Sequence, residues 1–229
     1  MYDGFIEFAV SQGVPLSTVT LTLMLPIVVT IIAFFRQVIG IKAFGIYTPA
    51  LVTFAFLAIG LEADSISKGA QYGFTIFVTV IAIGTLVRIV LKKFRLLYLP
   101  RVAIMITIVS LSTLAMLIAG GLLQRTGLAS VSIFPILIMI MLVEKFVSTQ
   151  IEKGARTAII LSTETLIISL ICYFSVSWSV LVAFIQTYPW IVLFTIIINI
   201  ILGKWTGLRL SEYFRFKEIT KYAEPSHKK

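Results

Sequence analysis

The sequence predicts an all-α integral membrane protein, a bundle of about seven transmembrane helices with its N-terminus outside and its C-terminus in the cytoplasm. Composition, apolar run length and the distribution of basic residues lead to this. Of 229 residues, 59% are hydrophobic and only 13% charged, against the roughly 25% charged residues of a typical soluble domain. Mean hydropathy is +1.06. Seven helices of about 20 residues take up about 140 residues, which leaves short connections, a tail and no separate soluble domain.

Seven apolar runs follow one another between charges, glycines and prolines: Leu16 to Ile39, Ile46 to Leu61, Ala70 to Leu91, Val102 to Leu123, Leu128 to Phe146, Ala155 to Phe174 and Trp190 to Gly203. The second and seventh are short for a hydrocarbon core about 30 Å thick, so Phe44 and Gly45 extend the second, and Lys204 and Trp205 the seventh. A break is expected from Ser175 to Pro189, because joining that stretch to the sixth run makes a helix too long for the bilayer. Ser175, Ser177 and Ser179 weaken it, Trp178, Tyr188 and Trp190 suit an interfacial belt, and Pro189 opens the last span.

Three segments result. Residues 1–15 form a short interfacial N-terminal segment, with Phe5, Ile6 and Phe8 among Asp3 and Glu7. Residues 16–204 form the transmembrane domain. Residues 205–229 read as a basic amphipathic tail, with Leu210, Tyr213, Phe214 and Ile219 among Arg209, Arg215, Lys217 and Lys221. The acidic start lacks the basic n-region of a cleaved signal peptide.

Orientation follows from lysine and arginine. If the N-terminus is outside, only Lys68 and Arg125 of the 19 basic residues fall on the outer side. The remainder lie in inner connections and the tail, so the net charge of +9 is a topology feature and no nucleic-acid partner is expected. Membrane lipids are the expected surroundings.

The single cysteine, Cys172, sits inside an apolar run, and the single histidine, His227, near the end of the tail. Neither a disulfide framework nor a histidine- or cysteine-based metal site is expected, and no cofactor. Gly-x-Gly-Asp, His-Glu-x-x-His, Gly-x-Ser-x-Gly and phosphate-binding glycine-loop patterns are all absent from the sequence, so an enzyme is not expected.

Ionisable residues at membrane depth are costly and therefore candidates for function. Glu164 in Ser-Thr-Glu-Thr lies about 12 Å beyond Arg156 at 1.5 Å per residue. It reads either as a proton- or ligand-binding carboxyl or as a structural group tying helices together. Arg36, Gln37 and Glu144 end their spans near the inner surface and join Glu164 as a candidate polar intramembrane site. Arg88, Lys92, Lys93, Arg95 and Arg101 form a candidate cytoplasmic docking face, or else snorkelling cations at helix ends. Asn199 and Thr30 read as interhelical glue.

Three blocks carry a family resemblance: Leu25 to Phe56, Leu96 to Val109 and Phe134 to Ala158. They resemble the bacterial seven-transmembrane domain usually fused to an inactive transglutaminase-like domain. Pro26, Arg36, Gln37, Gly40, Phe44, Gly45, Pro49, Pro100, Arg101, Glu144, Glu152, Gly154 and Thr165 fit its pattern.

The resemblance implies a bacterial inner-membrane location. It also implies partners among a transglutaminase-like domain, ATP-grasp peptide ligases and retropepsin-like proteases. Only about fifteen residues precede the first span, so the expectation is a natural split form, or a soluble domain removed or encoded separately. Two functions follow: a non-enzymatic anchor or scaffold for a ligase and protease system, or a transporter or sensor of a small molecule, peptide or proton around Glu164.

Overall fold

The computed structural model describes residues 4–62, 65–94, 97–122 and 131–204; the expected tail at 205–229, and Arg95 with it, lie outside the described residues. Its helices are α1 (Gly4–Ser11), α2 (Leu16–Phe34, continued by a π-helical turn over Phe35–Ile39), α3 (Tyr47–Glu62), α4 (Ile66–Leu91), α5 (Tyr98–Leu122), α6 (Ile133–Lys153), α7 (Ala155–Val176), α8 (Ser179–Thr187), a 3₁₀ turn (Pro189–Leu193) and α9 (Phe194–Lys204). Five spans are long and apolar enough to cross a bilayer: Leu16–Ile39, Ile66–Leu91, Leu99–Leu122, Ile133–Lys153 and Ala155–Val176.

The two short runs behave differently from full spans. Helix α3 has 16 residues, a rise of about 24 Å at 1.5 Å per residue. The expected break falls at Ser177–Trp178, where α7 ends, and α8 forms in the remainder of that stretch. The pair Ser179–Thr187 and Pro189–Lys204 is bent by 100°. Ser175 explains why α7 runs on past Phe174. Its hydroxyl donates to the Ile171 carbonyl at 2.8 Å, so in an apolar helix the serine satisfies itself without ending the helix.

The chain divides into two compact units, Met1–Ile46 with Trp178–Lys229, and Tyr47–Ser177. In the second, α4 presents one buried stripe of Gly69, Gly73, Ile76, Phe77, Val80, Gly84, Val87 and Leu91. The spacing follows the 3.6-residue period, and its glycines let neighbours approach. A Cβ on Gly73 would meet the Phe56 ring at 2.4 Å, and one on Gly84 would meet Val143 at 2.7 Å.

Tyr173 of α7 closes the same end of this unit. Its ring meets Phe56 edge-on at 6.3 Å, and its hydroxyl donates to the Ile66 carbonyl at 2.8 Å. The residue is 1% exposed. Tyr173→Phe keeps the ring and removes one interhelical bond, so a loss of about 1 kcal/mol is expected. The midpoint of denaturant unfolding in detergent measures it.

Hydroxyl groups link α3 to α7 as well. Ser169 donates to the Pro49 carbonyl at 3.0 Å or to Thr165 at 2.8 Å. Thr53 donates to Pro49 at 2.8 Å or to the Ser169 carbonyl at 3.3 Å. Thr53, Thr165 and Ser169 are fully buried, where an unbonded hydroxyl would be costly. Between α6 and α7 the chain turns on the single residue Gly154, with φ of 89° and ψ of 162°, a region that is essentially restricted to glycine.

In the first unit, α2 is the central element. Pro26 lacks the N–H that would bond the preceding turn, and the Thr30 hydroxyl donates to the Pro26 carbonyl at 2.7 Å. Helix α8 is tied to α2 by Gln186 Nε2 donating to Thr20 Oγ1 at 3.0 Å. Phe5 of α1 meets Trp190 at 5.9 Å.

Candidate functional site

The π-helical turn ending α2 places Arg36 and Gln37 side by side. Such turns insert one extra residue per turn and occur often at functional sites. Gly40 ends it in the left-handed conformation, φ 89° and ψ 22°, with its N–H donating to the Phe35 carbonyl. The loop beyond holds two more positive φ angles, 39° at Ala43 and 81° at Gly45, and buries Phe44. The segment from Arg36 to Gly45 contains five of the positions on which the resemblance rests, so their types match a tightly folded corner of backbone.

This corner borders a cavity of about 370 Å³ lined by Arg36, Gln37, Lys42 and Asn199, with Ala33 and Leu202 among its apolar walls. Asn199 reaches it from α9, held by two bonds from its Nδ2, to Thr30 Oγ1 and to the Thr195 carbonyl, each 2.8 Å. No carboxylate is among the described lining residues.

Glu144 and Glu164 belong to the other unit. Glu144 is exposed on α6, and so is Lys145 beside it. Glu164 is half-buried midway along α7 between exposed Thr163 and buried Thr165. It lines none of the cavities around Arg36, Tyr72, Tyr173 or Trp190.

The candidate docking cations divide too. Lys92 and Lys93 are exposed, and Arg101 is partly buried. Arg88 turns inward: Nη1 donates to Gln150 Oε1 at 3.0 Å and Nη2 to the Gln150 carbonyl at 2.7 Å. Gln150 is fully buried. Sequence reasoning passes over Gln150 because a glutamine near a helix end resembles solvated surface. Its spacing from Arg88 across two helices carries no local pattern. Among the described residues, no three His, Cys, Asp or Glu side chains gather into a metal-binding group.

Residues 3–220 match the family described as seven transmembrane helices usually fused to an inactive transglutaminase. The chain belongs to this family. It is accordingly a multi-pass membrane protein, and its described residues include five helices long and apolar enough to cross a bilayer, or six if the bent α8–α9 segment makes one span. No curated protein and no solved structure matches it.

Proposed function

We propose that this member of the family is a non-enzymatic membrane scaffold that holds soluble partners at the cytoplasmic face of a bacterial inner membrane. The observation supporting this is the use of the polar groups. In the second unit, Thr53, Ser169, Tyr173 and Arg88 bond to backbone and to Gln150 inside the bundle, while Lys92 and Lys93 remain exposed at the end of α4 and Lys145 is exposed along α6. Such an arrangement suits a rigid anchor with a cationic rim. In the proposed topology the N-terminus is outside, as the lysine and arginine asymmetry favours. The family's usual partner module is itself inactive, which agrees with a structural role.

The proposed partners are an ATP-grasp ligase and a retropepsin-like protease, with a transglutaminase-like domain on the outer side. Co-purification from native membranes with a tagged full chain tests this. At least one of the two enzymes is expected to follow the tag, and Lys92→Glu with Lys93→Glu to lower its recovery about tenfold, more at low salt than at high salt. Recovery of neither enzyme overturns the scaffold reading. The second reading, a proton or solute site, has the half-buried Glu164 in its favour. Uptake unchanged by Glu164→Gln would remove it.

A further inference from the structure

We propose that the cavity beside the π-helical turn of α2 is a phosphate-binding site, and that its occupant is the phosphodiester headgroup of an anionic phospholipid. This goes beyond the scaffold function and does not depend on it. Two cations, Arg36 and Lys42, border one cavity of about 370 Å³ with no carboxylate among its described lining residues. Arg36 is half-buried, and among the described residues no hydrogen bond or ion pair engages it. A partly desolvated guanidinium is costly without a counter-charge, and its planar fork matches phosphate oxygens in a bidentate contact.

The shape and walls agree with a headgroup. Binding cavities for small molecules span roughly 300 to 1,000 Å³, so this one is at the small end, suited to a headgroup and not to a whole lipid. Ala33, Ile41, Ile46 and Leu202 supply apolar wall next to the cations, as a glycerol backbone entering from the membrane requires. Asn199 has its Nδ2 committed to Thr30 and Thr195, leaving Oδ1 to accept from a headgroup hydroxyl. Basic residues at the end of a span lie at the depth of lipid phosphates, where anionic lipid attracts them. The π turn, Gly40 and the positive-φ residues Ala43 and Gly45 hold Arg36 and Lys42 on the same cavity.

Native mass spectrometry of the full chain in detergent tests the assignment, with phosphatidylglycerol, phosphatidylcholine and inorganic phosphate as probes. Wild type is expected to retain phosphatidylglycerol over phosphatidylcholine. Lys42→Gln, at an exposed loop position, should lower retention several-fold with the unfolding midpoint measured beside it. Arg36→Gln should lower it about tenfold, with partial recovery in Arg36→Lys. Lys92→Gln and Lys145→Gln should retain lipid as wild type does. Displacement of the lipid by millimolar inorganic phosphate supports the anion site but assigns it to soluble phosphate; resistance to phosphate assigns it to lipid. Equal retention by wild type, Lys42→Gln and Arg36→Lys, or equal losses in Lys145→Gln and Lys42→Gln, overturns the proposal.

Discussion

Gly69→Ala is expected to destabilise the protein by about 3 kcal/mol or more, a large effect for adding one methyl group. A Cβ at this position would lie 2.4 Å from the Gly60 Cα, 2.5 Å from the Tyr173 hydroxyl and 2.9 Å from the Gly60 nitrogen. Carbon atoms pack at about 3.5 to 4.0 Å, and two of the three obstacles are backbone, which no side-chain rotation can move. The α3 and α4 helices must separate by about 1 Å to reach that contact distance. That displacement disturbs the Tyr173 bond to Ile66 and the Phe56 ring over Gly73, because all three contacts share one end of the unit.

Gly203→Ala provides the contrast. It lies in α9 with nothing among the described residues within 4 Å of the added atom, so it should be neutral or stabilising by up to about 1 kcal/mol, as for glycine in a helix. Thermal unfolding in detergent, comparing the two variants with wild type, gives both signs in one experiment. A Gly69→Ala midpoint equal to that of Gly203→Ala would mean that the two helices are not in contact here.

Hydropathy and charge make the bundle and its long spans legible in the sequence. The run Leu16 to Ile39 coincides with α2 and its π turn, and the run Ile46 to Leu61 with α3 to within one residue at each end. Both are bounded by glycine, charge or proline, which a linear reading detects. The close approach of α3 to α4 is signalled only weakly, by Gly69-x-x-x-Gly73.

What the sequence hides are arrangements set by contact. The serines at 175, 177 and 179 suggest a broken helix, and the helix does break, at Ser177–Trp178 between α7 and α8. The end itself is hidden because the Ser175 hydroxyl returns to its own helix and lets α7 run on to Val176. Arg36 and Gln37 stand out as ionisable and polar residues at a span end. Their association with Asn199 requires α9 to lie along α2, a fact of packing that no spacing encodes. Glu144 and Glu164 stand out by the same membrane-depth criterion, but helix rotation turns Glu144 outward and leaves Glu164 half-buried.

Arg88 shows how one cation can serve two different functions, and Arg88→Ala separates them. In the structure its guanidinium grips Gln150 twice, at the side-chain oxygen and at the main-chain carbonyl. Gln150 is among the last four residues of α6, whose carbonyls have no donor further along the helix. A cation at that end also opposes the helix dipole. Removing the guanidinium leaves a fully buried glutamine with its acceptor unmet, at an expected loss of about 2 to 3 kcal/mol. Arg88→Lys restores the charge but not the fork, so it should recover less than half of that loss.

A docking cation predicts a different pattern, in which partner recovery falls while the unfolding midpoint stays fixed and lysine substitutes well for arginine. Measuring the unfolding midpoint and partner recovery on the same two variants separates the outcomes. The inward geometry of Arg88 predicts that stability falls first. Partner recovery should then follow stability, whereas Lys92→Glu with Lys93→Glu should change recovery without moving the midpoint.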